Sequence, residues 1–219
     1  MTWDWDYVAE ILPPLAKAAI VTIQAALGGF VLALVLGLIL ALLRRSHIRA
    51  ISWPVGAAVE FIRSTPLLIQ LFFLYFGLPQ FGIRPTPFAV GVVAFGIHFS
   101  TYLSEVFRAG LDAVPRGQWD AAKALNFGRF DRMVRIVLPQ AVPPMVPVLG
   151  NYLVLMLKDT PVLAAISVLE LLQTARALAS QSFRYLEPLT LVGLFFLALS
   201  VIASFAIQAL EAHLARKRS

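Results

Sequence analysis

Lys158, Asp159 and Thr160 stand together near the end of a segment that is otherwise apolar. A neighbouring ammonium and carboxylate could meet the two opposite charges of a zwitterion, because burying either charge without a partner is costly. This pattern predicts a binding position for a small polar solute. A solvated helix end would explain the same three residues and stays open as the alternative.

Three further polar residues, Gln70, His98 and Tyr102, lie deep within apolar segments. Polar and ionisable side chains inside such segments are costly to bury, so they often mark a solute pathway. We therefore interpret the three residues as candidates for lining a polar path. For His98, a helix-packing role with an ordinary hydrogen bond explains the residue equally well.

Two acid–base pairs also occur at helical spacing: Glu60 precedes Arg63, and Glu105 precedes Arg108. Residues three apart share a helix face, so we interpret both as ion pairs that stabilise the fold. The sequence has no cysteine and only three histidines, which are widely spaced. No nucleophile–base pair or set of metal ligands is visible, so we predict neither a catalytic residue nor a metal site.

These residues must be positioned by helices in a membrane. Of the 219 residues, 59% are hydrophobic, and the mean hydropathy is +0.81, too apolar for the surface of a soluble domain. The prediction is a single all-α integral membrane domain over residues 1–219, because spans of about 20 residues cross a bilayer. Five apolar segments are long enough to do so, at about 15–43, 55–77, 87–111, 136–157 and 188–210.

The basic residues predict the orientation. The net charge of +6 comes from residues concentrated in alternate loops, as the positive-inside rule requires of cytoplasmic segments. An N-out, C-in topology follows, and nucleic acid is not an expected partner because no basic stripe is interleaved with aromatics. Residues 161–181, with Glu170, Gln173 and Arg176 at helical spacing, are expected to form a helix that lies at the membrane surface or dips partly in, rather than a sixth span. The cytoplasmic basic residues include Arg44, Arg45, Arg49, Arg116, Lys123, Arg129, Arg132, Arg135, Arg216, Lys217 and Arg218.

One cytoplasmic segment, residues 115–135, looks like a docking element. A helix is expected to begin at Pro115 or Gly117 and to end before Asn126, since asparagine tolerates the left-handed conformation that ends helices. A turn and a second helical run, residues 130–137, then lead to Pro139. Small side chains and apolar anchors for a partner are expected at Ala121, Ala122, Trp119, Leu125 and Phe127. An amphipathic linker helix lying on the membrane is the alternative.

The order of residues in this segment resembles the EAA loop of ABC importer permeases. That pattern is Glu-Ala-Ala, three residues, Gly, nine residues and Ile-x-Leu-Pro. Here Asp120-Ala121-Ala122, Asn126 and the stretch from Ile136 to Pro139 match the spacing, with Asp in place of Glu and Asn in place of Gly. The stretches "FIRSTPLLIQLFFLYF", "STYLSEVFRAGLDAVPRGQ" and "LPQAVPPMVPVLGNYLVLMLKDT" resemble the permeases of polar amino-acid importers.

The resemblance implies an ABC type I importer permease fold in the bacterial inner membrane. It implies partnership with two ATPase subunits that bind ATP and Mg, a second identical or homologous permease and an extracytoplasmic solute-binding protein. This chain itself shows no glycine-rich phosphate loop, so no cofactor is expected on it. The resemblance implies a polar amino-acid substrate and leaves glutamate, glutamine, histidine, arginine and an amino-acid-derived solute open. Pro161, after "KDT", suggests a specialised substrate such as ectoine or hydroxyectoine. A stand-alone channel, a secondary transporter and a scaffold without transport activity are the alternatives. The residues implied in ATPase coupling are Gln118, Asp120, Ala121, Ala122, Leu125, Asn126 and Pro139.

Overall fold

The structure, a computed structural model, describes residues 3–216, and the regular elements in that range are helices. Lys217 and Arg218, which were assigned to the cytoplasmic tail, lie outside the described residues. The helices are α1 (Trp5–Arg44), α2 (Arg49–Arg63), α3 (Leu67–Phe72), α4 (Pro87–Asp112), α5 (Arg116–Ala124), α6 (Arg129–Arg132), α7 (Leu138–Asp159), α8 (Leu171–Ser182) and α9 (Leu186–Arg216). A π turn at Phe73–Gly77 and a 3-10 turn at Leu78–Phe81 extend α3, a π turn at Met133–Val137 joins α6 to α7, and a 3-10 turn at Thr160–Ile166 follows α7.

Four helical stretches of the described chain are long and apolar enough to cross a membrane: Trp5–Arg44, Pro87–Asp112, Arg129–Ile166 and Leu186–His213. The first begins well before residue 15, and Pro13 and Pro14 lie inside the helix. Its true start is set by Asp4, whose side chain accepts hydrogen bonds from two backbone N–H groups of the first turn.

The predicted continuous segment at 55–77 is wrong, because the chain breaks within it. The helices Arg49–Arg63 and Leu67–Phe81 meet at 103° and would form a fifth span only if the bent pair counts as one. Pro66 explains the break, since a proline ring disfavours helical backbone at the preceding residue, Thr65. The Thr65 hydroxyl donates to the Ile62 carbonyl at 3.0 Å, which satisfies part of the opened helix end.

The core of the bundle is the contact between α1 and α4, which run side by side in the same direction. Gly29 lies so close to α4 that an added Cβ would sit 2.7 Å from the Phe95 Cβ. A Cβ added to Gly37 would likewise lie 3.0 Å from the Ser100 carbonyl oxygen. Small residues at such contacts let helix backbones approach closely, which is the main source of helix packing in lipid.

The helix expected over residues 161–181 begins later than predicted. Pro161 belongs to the 3-10 turn, and the chain reverses at Ser167, which has a left-handed φ of 63°. The helix α8 begins only at Leu171, because Glu170 caps it: the carboxylate accepts from the N–H groups of Leu172 at 2.9 Å and Gln173 at 2.8 Å. Glu170 is fully buried and therefore does not lie on a solvated polar face.

Candidate functional site

The helix α5 and its turn have the shape that the sequence predicted. The N–H of Phe127 donates to the Ala122 carbonyl at 3.0 Å, and the N–H of Asn126 donates to the Lys123 carbonyl at 3.0 Å. This pair of bonds is a Schellman motif, which requires a left-handed residue after the helix end. Asn126 is that residue, with φ of 56°. The chain then returns through α6 toward the long span.

Two residues of α5 face inward, which differs from the predicted docking face. Ala122 is only 2% exposed, so its side chain is not available to another protein. Trp119 is half-buried and packs against an inner cluster that includes Val137 and Met145. A helix lying across the end of a bundle must bury one face, and these two residues supply it.

The outward face of this segment carries polar and apolar side chains together. Leu125 is 72% exposed and Phe130 is 77% exposed, and large apolar side chains so open to solvent commonly mark a contact with another protein. Phe130 was not singled out from the sequence, since nothing there shows which side of the turn it occupies. The other predicted coupling residues on the exposed side are Gln118, Asp120, Ala121, Asn126 and Pro139.

Glu105 is the centre of an ion network that joins three helices. Its carboxylate accepts from Arg108 Nε at 2.9 Å and from Arg44 on α1. Arg63 Nη1 lies 3.8 Å from the same carboxylate, so the predicted pairing of Arg63 with Glu60 is wrong within the described residues. The sequence could not show these contacts, because Arg44 and Glu105 belong to helices far apart along the chain.

Asp112 extends this network by one turn of α4. It accepts from Arg45, and its second oxygen lies 3.3 Å from Arg108 Nη1. The two carboxylates are therefore outnumbered by the guanidinium groups around them. Such an arrangement fastens the ends of α1, α2 and α4 together and leaves a positive surface at that end of the bundle.

The structure brings Gln70, His98 and Tyr102 together. Gln70 Oε1 lies 3.3 Å from His98 Nδ1, and the His98 and Tyr102 rings are 5.3 Å apart. Tyr152 stacks at 6.0 Å from Tyr102, and the Arg63 guanidinium lies over the Tyr102 ring at 5.1 Å from its centroid. The cluster offers hydroxyl, imidazole and guanidinium groups on facing helices, which could hydrogen-bond a polar solute.

Lys158, Asp159 and Thr160 do not converge, in contrast to the predicted grouping. Lys158 is exposed in a groove of about 320 Å³ beside Ser200 and Ser204 of α9. Asp159 is half-buried and forms no ion pair among the described residues. The Thr160 hydroxyl donates to the Leu157 carbonyl at 2.8 Å and so belongs to its own helix end.

The position of these residues at a helix end is as predicted, because α7 ends at Asp159. An added Cβ on Gly150 would meet Ile207, and Lys158 faces Ser200, so α7 and α9 are antiparallel neighbours. The 3-10 turn at Thr160–Ile166 follows them directly. No group of three or more potential metal ligands is found in residues 3–216.

Comparisons with known proteins agree with this architecture. The family described as "Binding-protein-dependent transport system inner membrane component" matches residues 33–216. The chain is 42% identical over 221 residues to the probable amino-acid ABC transporter permease protein y4tG of Sinorhizobium fredii (strain NBRC 101917 / NGR234), covering 99% of this chain and 96% of the relative. It is 36% identical over 180 residues to the probable glutamine ABC transporter permease protein GlnM of Bacillus subtilis (strain 168), covering 82% and 83% of the two chains.

The fold is also that of a solved transporter. The crystal structure titled as an amino acid ABC transporter with histidines matches with a TM-score of 0.89 and 31% identity, over 97% of this chain and 100% of that chain. The all-helical ABC type I permease fold and a multi-pass position in the cytoplasmic membrane follow from these matches. The chain belongs to the family of binding-protein-dependent transport system inner membrane components, the permease subunits of ABC importers.

Proposed function

We propose that this chain forms the translocation path of an importer for a polar amino acid or an amino-acid-derived solute. The observation that carries the proposal is the exposed face of α5, which is followed by a Schellman turn. The chain as a whole is similar to amino-acid permeases over nearly all its length. The names of the relatives, one for glutamine and one with histidines, support the substrate class. Ectoine or hydroxyectoine is the narrower candidate that Pro161 suggests.

The proposed topology has the N-terminus outside and five spans, with the bent pair of α2 and α3 serving as the second. Basic residues at the ends of α1 and α4 and along α5 and α6 support this orientation, because the cytoplasmic side of membrane proteins retains positive charge. On this topology α5 lies in the cytoplasm. A second permease, identical or homologous, and an external solute-binding protein complete the importer.

The exposed face of α5 is proposed to dock on one of two ATPase subunits, which bind ATP and Mg. Leu125 and Phe130 would enter an apolar groove, where burying large side chains contributes most of the contact energy. Asp120 would accept a charge-assisted hydrogen bond from the ATPase. Closure of the ATPase pair would then move the spans through α5, while Ala122 and Trp119 hold α5 to the bundle.

The solute is proposed to pass the cluster of Gln70, His98 and Tyr102. Their side chains offer hydrogen bonds in an otherwise apolar bundle, and Arg63 supplies a positive charge beside them. Asp159 and Lys158, which lie at the end of α7 without an ion pair among the described residues, are the proposed charged contacts on this path. Thr160 has its hydroxyl occupied and would contribute through its backbone.

ATP-driven uptake of radiolabelled amino acids into proteoliposomes is the test of the proposal. The permease, its ATPase and its binding protein are reconstituted together, with glutamine, histidine, arginine and ectoine as solutes. Uptake of one solute that requires ATP and the binding protein supports the proposal. Uptake that proceeds without either component would instead indicate a channel or a secondary transporter.

Docking by α5 is tested with Leu125→Glu, which changes an exposed side chain without opening the core. We expect this variant to lose the ATPase during purification while its thermal unfolding stays unchanged. Ile83→Glu, at a comparably exposed apolar position in a loop on the other side of the membrane, is the control and should retain the ATPase. Equal retention by both variants would remove α5 from the interface.

The role of Asp159 is tested with Asp159→Asn in the complete importer. We expect the KM for the solute to rise while ATPase binding is retained. Asp131→Asn, an acidic residue of α6 that pairs with Arg135 at 3.1 Å, is the matched control and should leave KM unchanged. Unchanged uptake kinetics in both variants would remove Asp159 from the solute path.

A further inference from the structure

A groove of about 910 Å³ lies where the end of α1 meets α2, at the end of the bundle that holds the Glu105 ion network. We call it the α2 groove. Arg44 forms its wall on the α1 side. Its other lining residues are Arg49, Ala50, Ser52, Trp53, Gly56, Ala57 and Glu60.

The lining residues form one stripe of α2, because positions 49, 52, 53, 56, 57 and 60 recur at the helical spacing of three and four. The side chains in the middle of the stripe are short, because these residues are Gly56 and Ala57. A Cβ added to Gly56 would meet no atom within 4 Å, so the groove is open above it. The α2 groove is therefore an elongated trough with a shallow floor and polar ends.

The charges in the trough are unequal. Arg49 has no carboxylate partner in the part of the chain that the structure describes, whereas Arg44 is already paired with Glu105. Glu60 lies at the far end of the stripe, and its negative charge offsets the positive charge of the two arginines there. The positive charge is therefore concentrated near Arg49. Guanidinium groups hold phosphate with paired, charge-assisted hydrogen bonds, which makes a phosphate the ligand that best matches this end.

The other features of α2 indicate that the phosphate belongs to a lipid. Trp53 is 76% exposed, and tryptophan is enriched where a membrane meets water. The exposed side of α2 also includes Ile51 and Phe61, so the helix combines arginines with a large apolar surface. A helix of this kind lies along the membrane interface, so α2 is the interfacial part of the bent second span and the segment after the 103° bend is the part that enters the membrane.

We propose that the α2 groove binds an anionic phospholipid of the inner leaflet. The phosphate lies between Arg49 and Arg44, the glycerol backbone crosses Gly56, and Trp53 packs against the upper acyl chains. The inner leaflet is specified by the proposed topology, on which this one aspect of the inference rests. Bound lipid would fix the orientation of α2, and through the bend after Arg63 that of α3.

The charge requirement is tested by measuring bound lipid directly. Purified permease is exposed to equal amounts of phosphatidylglycerol and phosphatidylethanolamine in nanodiscs, and retained lipid is measured by native mass spectrometry. Arg49→Gln should lower phosphatidylglycerol retention about five-fold, the effect of one basic residue near an anionic surface. Glu60→Gln should raise retention, because it removes the opposing charge. Arg176→Gln, an exposed arginine of α8 without an ion pair in residues 3–216, should change nothing.

The shape requirement is tested by filling the trough. Gly56→Leu places a side chain in the open space, whereas Gly193→Leu does the same on α9, where an added Cβ also meets nothing within 4 Å. Retention of phosphatidylglycerol should fall in Gly56→Leu, as in the charge variant, and stay at the wild-type level in Gly193→Leu. Thermal unfolding of both variants checks that neither loss is a folding defect.

Three outcomes would overturn the proposal. The first is equal retention of the two lipids by the wild-type protein. The second is unchanged retention in Arg49→Gln and Gly56→Leu, as expected if a second permease covers the groove. The third is displacement of the lipid by millimolar glycerol 3-phosphate, which would identify a site for free phosphate esters. The readout is bound lipid, so the result does not depend on whether the importer carries an amino acid.

Discussion

Gln70 and His98 face each other across the bundle, with Gln70 Oε1 3.3 Å from His98 Nδ1. Nε2 of the same side chain lies 2.7 Å from the Ile62 carbonyl oxygen, 3.0 Å from the Thr65 carbonyl oxygen and 2.8 Å from the Thr65 hydroxyl, and its two hydrogens are shared among these acceptors. One amide therefore joins the end of α2, the bend and α4. Pro66 has no N–H to donate to the Ile62 carbonyl, and the Gln70 amide supplies a donor there instead.

Replacing Gln70 by leucine should destabilise the protein. The change keeps the volume but leaves the Ile62 and Thr65 carbonyls without this donor, at a cost of about 1–3 kcal/mol. Thermal unfolding in detergent micelles measures the effect. Gln80→Leu, at an exposed glutamine in the 3-10 turn, is the control and should be near neutral. Equal stability of the two variants would show that the bend does not depend on the amide.

The turn after α5 predicts a specific order among substitutions of Asn126. Because its φ is 56°, Asn126→Gly should be tolerated, whereas Asn126→Val should cost about 1–2 kcal/mol. The free energy of unfolding measures both changes. Asn151→Val, at an exposed asparagine with ordinary helical backbone, is the control. A valine that is tolerated equally at both positions would contradict the structure of the turn.

Sequence patterns predicted the start of α4 and the end of α5 well. The predicted start of the third span at residue 87 is the observed one, because Thr86 caps α4 and Pro87 is pre-organised for a first turn. The left-handed Asn126 was predicted for the same kind of reason, since its side chain tolerates that backbone. These features are local, so a few neighbouring residues contain enough information to predict them.

Contacts between distant helices could not be predicted. Residues 55–77 are mostly apolar on both sides of Pro66, so composition did not show that the chain turns by 103° there. Ala122 looks like a docking residue from its neighbours in sequence, and only the packing of α5 on the bundle shows that it is buried. Arg44 finds Glu105 because α1 and α4 lie together, a relationship that no spacing within either helix contains.

Removing the charge of Glu105 should weaken the ion network at the ends of α1, α2 and α4. Glu105→Gln keeps the shape but leaves Arg44 and Arg108 facing each other with less compensation, a loss on the order of 1 kcal/mol. Unfolding is measured at low and high salt, because added ions screen the repulsion and should narrow the difference from the wild-type protein. Glu10→Gln, at an exposed position on α1, is the control. A difference that does not respond to salt would point to packing rather than charge.

Glu170 predicts a dependence of stability on pH. Burial raises the pKa of its carboxyl above the ordinary value, although the N–H groups of Leu172 and Gln173 act in the opposite direction. The folded protein therefore holds this proton more tightly than the unfolded chain does. The free energy of unfolding should fall as the pH rises from the ordinary carboxyl pKa through the raised one.

Glu170→Gln isolates this dependence, because the amide stays neutral at every pH. Thermal unfolding of wild type and variant from about pH 4 to about pH 8 should show the wild type losing stability relative to the variant as pH rises. Glu211→Gln, at an exposed position of α9, is the control and should follow the wild type closely. Parallel curves for wild type and Glu170→Gln would mean that Glu170 binds its proton equally tightly in the folded and the unfolded protein. Diverging curves would show that the ionised Glu170 carboxylate is less favourable in the folded protein than the protonated carboxyl. Protonation of Glu170 should then stabilise the connection between α7 and α9.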